Sequence, residues 1–107
     1  MEAPLTDPVI ATFLAELRSG FGPALREVWI FGSRARGDAQ DGADFDLLVV
    51  ADGDIPVSRK LVQEAEWVCM ERHNTLVACL VYTETQWEER KQTPLGLNIR
   101  REGKLVA

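Results

Sequence analysis

Apolar positions recur along the chain with two periods, and the alternation between them predicts the order of elements. Asp7-Pro8 offers an N-cap and a proline suited to the first helical position. Ile10, Phe13, Leu14 and Leu17 then return at helical spacing, and Ser19-Gly20 ends the segment before the breaker Phe21-Gly22-Pro23. Val28 to Phe31 reads as a first strand, and Ser33 to Arg36 as the start of a short helix. A polar loop, Gly37 to Gly42, precedes a second strand, Asp44 to Ala51, whose Leu47, Leu48, Val49 and Val50 fit a strand buried on both faces. Ser58 to His73 carries Leu61, Val62, Ala65, Val68 and Cys69 on one helical stripe, with Asn74 as its stop. Thr75 to Tyr82 reads as a third strand, and Thr83-Glu84-Thr85-Gln86 as a capping box opening a helix to about Lys91. Pro94 to Arg100 reads as a further helical turn or two, and Lys104 to Ala107 as a short terminal strand. The pattern predicts an α/β (α+β) fold, a short mixed β-sheet flanked by helices.

Composition narrows this picture only a little. The chain has 107 residues, 46% hydrophobic and 27% charged, the balance of an ordinary globular domain. That length suits one domain over 1–107 rather than a catalytic domain joined to a substrate domain. The formal net charge of −5 argues against broad nucleic-acid binding, which needs a basic face to displace counterions. Arg34 and Arg36 form at most a local basic patch. Cys69 and Cys79 have no metal-ligand spacing and read as buried free thiols in a reducing compartment. The start, Met1-Glu2-Ala3-Pro4, does not resemble a signal peptide, and no segment is long enough for a membrane span, so a cytoplasmic location is expected.

The candidate chemistry lies between the first two strands. Gly32-Ser33 ends an apolar run, and Asp44-Phe45-Asp46 opens the next. Residues two apart on a strand share a face, which sets Asp44 and Asp46 on one side of the sheet. Paired carboxylates are hard oxygen ligands of the kind Mg²⁺ takes beside substrate phosphates. Gly-Ser at a strand-to-helix turn presents backbone N–H groups and a hydroxyl to an anion. A metal-dependent nucleoside triphosphate site accounts for all four residues. The plainer alternatives are solvated acids at Asp44 and Asp46, a helix cap at Ser33 and solvated loop cations at Arg34 and Arg36.

Gly32-Ser33, ten residues from Arg34 to Ala43, then Asp44-x-Asp46 resembles the motif of the minimal nucleotidyltransferases, small members of the DNA polymerase β-like nucleotidyltransferase superfamily. The flanking Arg34-Ala35-Arg36-Gly37 loop and the late Asn98-Ile99-Arg100-Arg101-Glu102-Gly103 stretch look similar too. The resemblance implies transfer of a nucleoside monophosphate, AMP from ATP, to a hydroxyl of a partner protein or small molecule. It assigns Gly32, Ser33, Arg34 and Arg36 to the nucleotide, and Asp44 and Asp46 to catalysis at a two-ion Mg²⁺ site. It also suggests a partner, a HEPN-domain protein that the minimal nucleotidyltransferase modifies as an antitoxin, and it leaves room for a homo-oligomer.

Two positions depart from the family pattern. Ala43 stands where a serine is usual. Active members usually carry a third carboxylate on a neighbouring strand, yet Thr75 to Tyr82 holds no acid, and Glu71 and Glu84 lie just outside it. The sequence therefore supports two functions: a transferase, or a catalytically degenerate module that binds NTP or a partner protein without transfer.

Overall fold

The computed structural model describes residues 7–37 and 44–107. Helix α1 (Pro8–Phe21) opens with the Asp7 side chain accepting from the Val9 N–H and Pro8 in the first turn. It ends at Gly22, whose φ of 58° lets the chain turn into a 3₁₀ segment, Gly22–Ala24. Strand β1 (Leu25–Phe31), the one-turn helix α2 (Ser33–Arg36) and strand β2 (Phe45–Ala51) follow. Helix α3 (Ile55–His73) crosses to β3 (Val77–Tyr82), and α4 (Glu84–Arg90), α5 (Pro94–Glu102) and β4 (Lys104–Leu105) complete the chain. The expected opening residues Met1 to Thr6, the greater part of the polar loop (38–42) and Ala43 lie outside the described residues.

The sheet order is β3-β2-β1-β4, with β2 and β3 parallel and the other two pairings antiparallel. This is the mixed sheet that the pattern predicts. A parallel pair needs a long crossover, and α3 supplies it. Alternation along the strands sorts side chains to two cores. Phe45, Leu47, Val49 and Ala51 join Val28, Ile30, Val77 and Val81 beneath α1 and α3. Leu48 and Val50 face the other way, packing with Trp87 of α4 and Ile99 of α5. With both faces covered, β2 reads as a continuous apolar run, which is why its sequence shows no alternation.

Several boundaries differ from the sequence expectation, each for a local reason. Asp44 sits just before β2, which begins at Phe45. Helix α3 starts at Ile55, three residues before Ser58, because Pro56 falls in the first turn, where a missing N–H leaves no bond unmade. Strand β3 begins at Val77 rather than Thr75, whose hydroxyl donates back to the His73 carbonyl. Helix α1 runs past Ser19-Gly20 to Phe21, which is buried in the core. Helix α5 extends to Glu102, capped by Thr93, whose side chain accepts from the Gly96 N–H. The capping box of α4 is present in both directions, Gln86 N–H to the Thr83 hydroxyl and Thr83 N–H to the Gln86 side-chain Oε1.

Candidate functional site

The Gly-Ser turn and the paired acids meet at one end of the sheet. Phe31, the last residue of β1, pairs with Asp46 near the start of β2, so the turn at Gly32 lies against the Asp46 carboxylate. A Cβ on Gly32 would fall 2.5 Å from Asp46 Oδ2. Gly32 also has φ 74° and ψ −158°, a region that only glycine adopts readily. Both the backbone angle and the space therefore require glycine there. The Gly32 carbonyl accepts from the N–H groups of Ala35 and Arg36, which makes Gly32 the cap residue and Ser33 the first helical one. Ser33 thus stands in the first turn of α2, where helical N–H groups have no partner within the helix.

Asp44 is exposed and Asp46 is half-buried. Burial pushes the Asp46 carboxyl above its usual range, repulsion from Asp44 adds to the rise, and Arg36 opposes it. The two acids therefore interact and raise the demand for a countercharge at this spot. Their oxygens suit an Mg²⁺ ion that brings phosphates and water as its remaining ligands. Among the described residues, no group of three or more His, Cys, Asp or Glu side chains is placed to hold a metal ion. The donor set fits an ion delivered with a nucleotide better than an all-protein metal cage.

The two arginines diverge. The Arg34 guanidinium lies 4.3 Å above the centre of the Phe45 ring, a cation–π arrangement on the α1–α3 side of the sheet. Arg36 reaches the other way, its Nη1 3.4 Å from Glu102 Oε2 at the end of α5. On the Arg36 side is a cleft of about 230 Å³ walled by Phe31, Gly32 and Arg36 and by Asn98, Ile99 and Glu102 of α5. That volume is below the range for a whole small-molecule ligand, so the cleft would take part of one. The Asn98-to-Gly103 stretch resembled the family in sequence, but its place beside Gly32 follows only from long-range packing.

Glu71 and Glu84, the acids flanking the third strand, fall outside this corner, as do the histidine, tryptophans and cysteines. Glu84 belongs to the far end of the sheet, where it lies 3.5 Å from Arg26, itself paired with Asp52. Glu71 is exposed on α3, the helix packed against the opposite face. His73 Nε2 lies 2.8 Å from the Thr12 hydroxyl and ties α3 to α1. Trp87 is buried in the core and Trp29 bonds to Glu27, while Trp67 is 64% exposed on α3. Cys69 is buried and Cys79 half-buried, both free, and burial pushes the Cys69 thiol up to about 11. No described helix is long and apolar enough to cross a membrane.

Known proteins show the same architecture. A candidate nucleotidyltransferase from Sulfolobus solfataricus superposes with a TM-score of 0.61 and 28% identity, covering 91% of this chain and 75% of that one. A Shewanella oneidensis complex of a tri-AMPylated HEPN toxin with its MNT antitoxin gives a TM-score of 0.54 at 17% identity, over 92% and 71% of the two chains. A candidate protein adenylyltransferase from Methanocaldococcus jannaschii is 23% identical over 100 residues, which is 94% of this chain and 96% of that protein. The sequence matches the nucleotidyltransferase domain family over residues 10–95, spanning both β1 and the paired acids at the entry to β2. The chain belongs to the nucleotidyltransferase domain family.

Proposed function

We propose that this chain binds ATP with Mg²⁺ at the Gly32–Asp46 corner and transfers AMP to a hydroxyl of a partner protein. The observation that supports the reading is the nearness of Gly32 to the Asp46 carboxylate, where an added Cβ would fall 2.5 Å from Oδ2, so that the Gly-Ser turn and an acid lie at one point. Main-chain N–H groups at the start of α2 and the Ser33 hydroxyl would hold the β- and γ-phosphates. Arg36 would exchange its contact with Glu102 for a phosphate oxygen, at little cost because that pair is exposed. Asp44 and Asp46 would hold Mg²⁺, which supplies charge neutralisation along the phosphates. In the transfer the acceptor oxygen bonds to the α-phosphorus, the bond to the β-phosphate breaks, pyrophosphate leaves and the hydroxyl proton passes to solvent. The catalysis asked of the protein is alignment and charge stabilisation.

The cleft beside Gly32, about 230 Å³, would take only part of a small molecule, which favours an acceptor brought by a partner. The Shewanella pair, a HEPN toxin carrying AMP groups bound to its MNT antitoxin, makes a HEPN-domain protein the first partner to test. The test is to incubate the protein with α-labelled ATP, Mg²⁺ and a HEPN-domain protein encoded beside it. Label should appear on the partner with wild type and be lost with Asp46→Asn. Equal labelling by both, or none by either, would remove the transferase reading. A second reading, a module that binds nucleotide or partner without transfer, draws on the acid-free strand β3. It expects partner binding that is indifferent to Asp44→Asn and Asp46→Asn, with no pyrophosphate released.

A further inference from the structure

On the face of the sheet that carries Asp46, strands β2 and β3 form a ladder of facing pairs. Val50 lies beside Tyr82, Leu48 beside Leu80, and Asp46 beside Ala78. The first two pairs are covered by the core that Trp87 and Ile99 complete. The third is uncovered, with Ala78 exposed. Neighbouring strands run about 4.8 Å apart, and facing residues of a parallel pair project to the same side. Position 78 is therefore a place from which a side chain of β3 could share an ion with Asp46. Alanine has no donor to offer. On the other flank Asp46 faces Phe31, which has none either.

Two divalent ions bound in one phosphoryl-transfer site lie about 3.5–4 Å apart, and each must fill its shell with oxygen donors. Asp44 and Asp46 are enough for one Mg²⁺ that brings its own phosphates and waters. A second ion needs a further acid, and among the described residues the sheet register gives the place beside Asp46 to a methyl group. We infer that this chain holds a single divalent ion with its nucleotide, and that Ala78 is the one-residue deficit separating it from a two-ion site. The inference rests on the nucleotide site proposed above. It bears on the rate of the proposed transfer: one ion would neutralise the phosphates, and the acceptor hydroxyl would lose its proton to solvent with no second ion beside it.

The test counts ions directly. Wild type, Ala78→Asp and Ala78→Asn are each equilibrated with Mn²⁺ and α,β-methylene ATP, freed of unbound ligand, and read by electron paramagnetic resonance and nucleotide absorbance. The expected result is one Mn²⁺ per bound nucleotide in wild type and Ala78→Asn, and two in Ala78→Asp, with the spectral broadening of a coupled Mn²⁺ pair. Ala78→Asp should also transfer labelled AMP faster than wild type. An exposed position on an edge strand tolerates the change, and Ala78→Glu carries the same expectation should Ala78→Asp fail to fold. Two ions in wild type would overturn the inference and send the search for the second ligand to Asp38 and Asp41, outside the described residues. One ion in both acidic variants would overturn it as well. Failure of all the proteins to retain nucleotide would instead remove the nucleotide site itself.

Discussion

A methyl group added at Gly32 would meet Asp46 Oδ2 at 2.5 Å, in a backbone conformation of φ 74° and ψ −158° that alanine avoids. Gly32→Ala should therefore cost about 1–3 kcal/mol in stability from backbone strain alone. It should also push the Asp46 carboxylate away from the turn and weaken nucleotide binding beyond what the lost stability explains. Urea denaturation reads the first effect, and titration with a fluorescent ATP analogue at a temperature well below unfolding reads the second. Glu66 allows a prediction with a definite sign. Burial against β3 raises its carboxyl above 4.5, and the thiol and backbone N–H of Cys79 only partly offset that. A raised folded value means that the native state holds more protons than the unfolded one across the interval between the two, so stability falls as pH rises through it. Glu66→Gln removes the cost of charging a half-buried carboxyl and can still accept a hydrogen bond. The variant should be the more stable protein at pH 7, with the difference closing as pH falls to about 4, checked by denaturation midpoints at both values.

The corner between α4 and α5 sets helix propensity against space. Gly96 lies in the first turn of α5, and exchanging glycine for alanine in a helix ordinarily gains about 1 kcal/mol. Here a Cβ would run into the carbonyl of Arg90 and come within 2.8 Å of Lys91 Cα, backbone atoms that cannot swing aside. The clash outweighs the propensity, and Gly96→Ala should destabilise the protein by about 1–3 kcal/mol. A thermal melt that rises instead would show that the α4–α5 corner relaxes freely. The same corner marks where the sequence was readable and where it was not. The Thr83–Gln86 capping box, the αL stop at Asn74 and the both-faces-buried run of β2 are local signals, and each is found in place. Pro56 masked the start of α3, because a proline at a first turn and a proline at a break look alike in sequence. Gly32, Ser33, Asp44 and Asp46 were legible because a fixed short spacing carries them. Ala78 opposite Asp46 and α5 beside Gly32 depend on strand register and helix packing between distant segments, which no local pattern encodes.

Across the whole molecule the two faces of the sheet are unequally secured. Among the described residues the α1–α3 side buries eighteen residues in one cluster, and the α4–α5 side buries four, Leu48, Val50, Trp87 and Ile99. Trp87 weakens the smaller cluster further, since its buried indole N–H has no hydrogen-bond partner among the described residues. Local opening free energy follows buried apolar contact, so α4 and α5 should open more readily than α3 or β2. Hydrogen exchange should be fastest along α5 and slowest through the centre of β2. The candidate cleft takes one wall from the firm layer, at Gly32, and the other from the loose one, at Asn98 and Glu102. A ligand seated there binds only the closed form and stabilises it by mass action. Saturating α,β-methylene ATP with Mg²⁺ should therefore slow exchange along α5 more than along α3, and Asp46→Asn should abolish the difference. Uniform slowing across both layers would place the nucleotide elsewhere, and slowing confined to α1 and α3 would place it on the opposite face from Asp46.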